Sequence, residues 1–189
     1  SSSLITRRSQ VRVLNGPLDS IKMKAEDLLK LIESEPNKVK LLIETLDQLK
    51  AGLGFQQDLL TPGFIKEWMI SEILGHRCHT TKHGADAYSQ CGKEQYEYLS
   101  CKEGGGFQLD RIHDGNLVRI TRNSAFFFAE FDVKTGLICQ RIWKGSTQVF
   151  LNEALRKLEK MSASSNHLTF PVKWVKSNCE LVYLNPDIT

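Results

Sequence analysis

Apolar residues recur along the chain in two rhythms, and the rhythm changes near Gly75. Before it, they fall at helical spacing. Ile21, Ala25, Leu28, Leu29 and Ile32 line one side of a helix starting near Ser20. After Pro36, the positions Val39, Leu42, Ile43, Leu46 and Leu49 repeat the pattern up to Gly52-Leu53-Gly54. Two helices packed by their apolar faces follow, either a structural cap or an arm for a dimer or DNA. Thr61 and Pro62 suit a cap and first turn, so Phe64, Ile65, Trp68, Met69 and Ile73 predict a third helix ending at Gly75.

Beyond Gly75 the pattern alternates. Residues 85–88 and 95–102 are strand candidates, and 116–122 and 124–132 read the same way. Asp132-Val133-Lys134-Thr135-Gly136 is a turn leading to a strand over 137–143. Phe126, Phe127 and Phe128 occupy both faces of their strand, which predicts a buried central strand rather than a stacking platform. A helix over 150–161, a loop over 162–166 and closing strands at 172–175 and 181–184 complete the order. Short central connections favour antiparallel neighbours. The expected fold is α/β or α+β, with a central mixed sheet flanked by helices. It divides into an N-terminal arm and helical segment over 1–60 and a core over 61–189.

Composition narrows the class. Hydrophobic residues at 41% and charged residues at 25% describe a globular chain of 189 residues. No run approaches the roughly 20 apolar residues that span a bilayer, and the opening segment lacks the apolar stretch of a secretory signal. Five scattered cysteines, an odd number, argue for reduced thiols and a cytoplasmic setting. A net charge of +3 permits a nucleic-acid partner without establishing one.

The candidate chemistry gathers in the middle. Glu67 and Glu72 lie on the third helix, Asp86 in Gly84-Ala85-Asp86-Ala87, and Lys102 at the end of Tyr98-Leu99-Ser100-Cys101-Lys102. Strand alternation puts Tyr98, Ser100 and Lys102 on one face and Glu97, Leu99 and Cys101 on the other. If the two strands are neighbours, Asp86 approaches Ser100 and Lys102. Carboxylates are hard ligands for Mg²⁺, and an ammonium beside the ion would orient water and stabilise developing charge on a phosphate.

The helix glutamate, then Gly84-Ala85-Asp86-Ala87, then Tyr98-Leu99-Ser100-Cys101-Lys102 resembles the core of the PD-(D/E)XK nuclease superfamily, home of many type II restriction endonucleases. In that family an aspartate begins one strand of a hairpin, and an acid stands two residues before a lysine in the next. The resemblance covers about residues 64–160 and makes Asp86 and Lys102 the first and last members. Ala85 replaces the family proline, and Ser100 stands where the second acid is usual. Some members with serine there recruit a helix glutamate, so Glu72, or else Glu67, supplies the missing ligand. Glu97 is an alternative if a bulge rotates the strand, and Glu103 has the wrong parity. The resemblance implies a Mg²⁺-dependent, sequence-specific endonuclease acting on double-stranded DNA as a homodimer and leaving 5′ phosphates.

Asn116, Arg119 and Arg122 are candidate DNA-reading residues among several basic positions after the core. Gly104 to Gly106 read as a flexible loop at the DNA groove or a plain connector. Two rival readings remain. One is a structural zinc module built from His76, Cys78, His79, His83 and Cys91. The other is a noncatalytic nucleic-acid or protein interaction domain.

Overall fold

The computed structural model describes residues 38–59, 61, 63–81, 84–110, 117–160 and 167–188. The first predicted helix, over 20–35, lies outside them. The chain divides into two compact units, residues 1–49 and 50–189. The second predicted helix is present as α1 (Lys38–Leu53), which crosses that division.

The second unit is α+β. Its elements are α2 (Phe64–Leu74), β1 (Arg77–Cys78), β2 (Ala87–Tyr88), β3 (Gln95–Lys102), β4 (Gly106–Asp110), α3 (Leu117–Thr121) and β5 (Ala125–Phe131). Then come β6 (Cys139–Ser146), α4 (Thr147–Leu158), β7 (His167–Pro171), α5 (Val172–Asn178), β8 (Glu180–Leu184) and a 3-10 turn at Pro186–Ile188. Six strands form one mixed sheet in the order β1-β2-β3-β5-β6-β8, and β4 pairs with β7 in a small second sheet.

Three expectations change. Residues 116–122 are not a strand, because α3 occupies Leu117–Thr121. There Leu117 and Ile120 meet one core three residues apart, a helical rather than a strand period. The expected strand at 172–175 is the start of α5. Val172 and Val175, again three apart, face the core, and Pro171 sits at the N-cap with the extended backbone that a helix start requires. Finally, β3 and β5 are parallel, from Tyr96 opposite Ala125 to Lys102 opposite Phe131. The segment between them is long enough for a crossover, since it carries both β4 and α3. Gly104 and Gly105 form the turn into β4, and Gly106 is its first residue.

β5 is buried along its whole length. Phe126 and Phe128 pack on one face with Phe150 and Ala154 of α4, Phe107 and Leu109 of β4, Phe170 of β7 and Val175 of α5. Ring stacking fixes that face, at 3.9 Å between Phe126 and Phe150 and 4.5 Å between Phe150 and Phe170. Ala125, Phe127, Ala129 and Phe131 pack on the other face with Ile70 of α2, Tyr96, Tyr98 and Ile142. Helices on both sides of the sheet explain why three successive phenylalanines are tolerated: each face offers an apolar partner.

α2 begins at Phe64, after Gly63 rather than directly at the Thr61-Pro62 pair, although the Thr61 carbonyl accepts the Phe64 N–H at 3.1 Å. It stops at Gly75, whose φ of 65° lets the backbone turn back so that the His76 N–H reaches the Ser71 carbonyl at 2.8 Å. That stop delivers the chain into the β1–β2 edge of the sheet. The β5–β6 turn forms where its sequence places it. The Asp132 carboxylate accepts the N–H groups of Thr135, Leu137 and Ile138 and the Thr135 hydroxyl, at 2.6 to 3.2 Å.

Candidate active site

Asp86 lies just before β2, where two bonds pin its backbone and a third its carboxylate. Its N–H donates to Tyr96 O at 3.0 Å, its carbonyl accepts the His79 N–H at 2.9 Å, and its Oδ2 accepts the Tyr98 N–H at 2.7 Å. The β2–β3 register pairs Ala87 with Tyr96, so Asp86 is level with Glu97. Gly84, two residues earlier, has a φ of 123° that side-chain-bearing residues rarely adopt, and a Cβ there would stand 3.3 Å from His79 Cε1. A glycine is therefore needed to bring Asp86 round to the strand.

Glu67, in the first turn of α2, reaches the same place. With Asp86, His79, Thr81, Gln57 and Thr61 it lines a cavity of about 150 Å³. Burial and the negative charge of Glu97 push its carboxyl up to about 7. Neighbouring groups feel the same field. Burial, then the carboxylates of Glu67, Asp86 and Glu72, raise the Cys78 thiol to about 11 against a hydrogen bond from Ser71. The Tyr98 phenol is raised further by burial and by Cys78 and Asp86, and it sits 2.7 Å from His76 Nδ1. Burial and the charge of Lys144 lower the His76 imidazole.

Of the two helix glutamates, Glu67 rather than Glu72 joins Asp86 in the cavity. Five residues on an α-helix correspond to about 140° of rotation. Glu72 is exposed and accepts the Trp68 indole N–H at 3.1 Å. β3 runs through its pairing with β5 without a register shift, so the strand is not rotated at Glu97. Glu97 nevertheless acts on Glu67 by charge, and its Oε2 accepts the Asn123 amide at 3.4 Å.

The structure does not bring Lys102 to this cavity. It stands five residues beyond Glu97 on β3, about 16 Å along the strand at roughly 3.3 Å per residue. Its side chain is exposed and lies over Gly136, where a Cβ would be 2.9 Å from Lys102 Cε. The residue two after Glu97 is Leu99, which is buried in the core. Ser100 lies on the intervening length of β3, and Glu103 is 3.9 Å from Arg141 Nη1. Asn116 is outside the described residues, as is the side chain of Arg119. Arg122 is exposed at the end of α3, and its carbonyl accepts the Gln95 amide at 2.8 Å.

In the sequence His79 stands only among the candidate zinc ligands, yet it lines the carboxylate cavity. Its Nδ1 lies 2.8 Å from Thr81 O. Because a carbonyl only accepts, Nδ1 carries the proton and Nε2 is the basic nitrogen of the neutral ring. Among the described residues, no three His, Cys, Asp or Glu side chains approach as a metal-holding group, and none of the five cysteines is in a disulfide. The donor set is thus two hard-oxygen side chains in a region of accumulated negative charge. That suits Mg²⁺, which is commonly held by one or two carboxylates together with substrate phosphates. His83, one of the five residues of the zinc reading, lies outside the described residues.

Among the described residues no helix is long and apolar enough to cross a membrane. Compared with known proteins, the chain matches no family model and no curated protein.

Proposed function

We propose that this chain is a Mg²⁺-dependent endonuclease that hydrolyses phosphodiester bonds of double-stranded DNA at the cavity between α2 and the β2–β3 hairpin. One observation carries the reading: Glu67 and Asp86, from separate elements, line one small cavity, and burial, with the charge of Glu97, raises the carboxyl of Glu67. Buried like charges invite a cation. When bound, Mg²⁺ would polarise a phosphate oxygen and lower the pKa of a water.

The protein's own groups have separable parts. Asp86 offers a carboxylate oriented by the Tyr98 amide. Glu67 gives up its proton near neutrality to become the second ligand. His79, with Nδ1–H committed to Thr81 O, offers Nε2 to hold the attacking water. The aspartate at the start of one hairpin strand agrees with the PD-(D/E)XK pattern. That resemblance extends the proposal to sequence-specific restriction by a homodimer in the cytoplasm, with Asn116, Arg119 and Arg122 as DNA-reading candidates and 5′-phosphate products.

The test is digestion of supercoiled plasmid with and without Mg²⁺. Wild type should cut only with the ion. Asp86→Asn and Glu67→Gln should each lose about ten- to a hundredfold in rate, while Lys102→Ala and Glu72→Gln should cut as wild type does. A second reading, a noncatalytic DNA-binding domain, is favoured by Leu99 two positions after Glu97 and by the distance to Lys102. Plasmid that is shifted but never cut, with Mg²⁺ or Mn²⁺, would select it.

A further inference from the structure

A second concavity of about 430 Å³ adjoins the first, lined by Arg77, Cys78, His79, Thr80 and Tyr88. His79 is common to both. We infer that this groove is a nucleotide subsite, in which Arg77 takes a backbone phosphate and Tyr88 the neighbouring base of a nucleic-acid strand. Delivery of the adjoining phosphodiester to Glu67 and Asp86 rests on the nuclease reading and requires the duplex to be unpaired at the base that Tyr88 takes; occupancy of the groove by a single strand rests on neither.

Arg77 of β1 and Tyr88 of β2 are direct cross-strand partners, so both side chains leave the same face of the sheet edge. Arg77 is exposed, and no carboxylate pairs with it among the described residues. Its guanidinium lies over the β2–β3 turn, where a Cβ at Gly92 would be 3.6 Å from Nη2. An unpaired guanidinium at a groove presents a planar fork of donors matched to phosphate oxygens. Tyr88 is half-buried and packs with its ring 5.4 Å from that of His79. An aromatic face beside a phosphate-binding cation is the usual platform for a single-stranded base. The volume suits one nucleotide, since small-ligand sites run from about 300 Å³ upward. The carboxylates next door repel a bare phosphate, so Arg77 sets which end of the paired concavities the strand enters by its charge.

The experiment measures binding of a fluorescein-labelled, single-stranded oligodeoxynucleotide by anisotropy, in EDTA and at several salt concentrations. Arg77→Gln should weaken binding about tenfold and reduce the slope of log K against log salt by about 0.7, the value of one single-strand phosphate. Tyr88→Leu should weaken binding about tenfold with the slope unchanged, and Tyr88→Phe should restore it. Thymidine monophosphate should displace the probe better than inorganic phosphate does. Thermal melts of each variant check that it folds. Absence of wild-type binding overturns the subsite, and so does a loss no greater than that caused by Lys176→Gln, an exposed cation over Trp143. Equal displacement by inorganic phosphate overturns the role of Tyr88. The two proposals fail separately. Wild-type plasmid cleavage with oligonucleotide binding unchanged in both groove variants removes the subsite and keeps the nuclease, whereas oligonucleotide binding with the expected losses and no cleavage removes the nuclease and keeps the subsite.

Discussion

Glu67 holds its proton up to about pH 7 because burial removes water from the carboxyl and Glu97 adds like charge. Its folded pKa therefore stands above the ordinary 4.5. Stability from the protonated form is complete below that ordinary value and is lost as pH rises through about 7. The loss has a ceiling between about 3 and 4 kcal/mol, from roughly 1.4 kcal/mol per pKa unit. Urea midpoints at pH 5 and pH 8 should show wild type falling across this window, and Glu67→Gln, which stays neutral, falling less. Mg²⁺ added at pH 8 should raise the wild-type midpoint and leave that of the variant unchanged. At this scale the sequence marks Asp86 and Glu67 as chemically able groups. The choice between Glu67 and Glu72 needs the rotation of α2 against β3, which spacing within one helix does not contain.

Elements with a strong internal rhythm were legible, as were the short β2 and β8, whereas β1, β4 and β7 were not. β3 alternates from Gln95 to Tyr98 and again from Leu99 to Lys102, and the helix over 150–161 shows its apolar stripe, which the structure places at Thr147–Leu158 with Ser146 as cap accepting the Val149 N–H at 3.3 Å. β4 and β7 have five residues each and pair only with one another, so the partner that stabilises each is about sixty residues away in sequence. α5 shows the opposite ambiguity, because Val172-Lys173-Trp174-Val175 satisfies both a period of two and a helical repeat. Phe150 tests the element scale. It is fully buried and stacks with Phe126 and Phe170. Phe150→Ala should cost about 3–5 kcal/mol in denaturant unfolding, the range for large core cavities.

On the scale of the whole molecule, β5 ties the sheet together, and within it Glu130 is buried. Its cross-strand partner Arg141 donates to Oε2 at 2.9 Å. Such a pair contributes little net stability, but breaking it is expensive. Arg141→Met should cost about 3 kcal/mol, and Arg141→Met combined with Glu130→Leu should recover most of that. Equal losses in the single and double variants, measured by equilibrium unfolding, would refute the coupling. The half-buried Arg141 and the buried Glu130 look alike in the sequence, where both are charged residues in apolar strands. Only the stacking of helices and a second small sheet over β5 makes one of them costly to leave alone.

The sequence by itself determined which segments are apolar enough to pack and in which rhythm, hence the mixed sheet between helices, the doubly buried phenylalanine strand and the Asp132 turn. Those properties are local, because they depend on side-chain type and on the periods of helix and strand. Tertiary structure decided the parallel pairing of β3 with β5, the meeting of Glu67 with Asp86 and the separation of Lys102 from both. Each is a matter of register between distant segments. A slip of a few residues along β3 moves a side chain by about 10 Å, while leaving every local pattern in the chain unchanged.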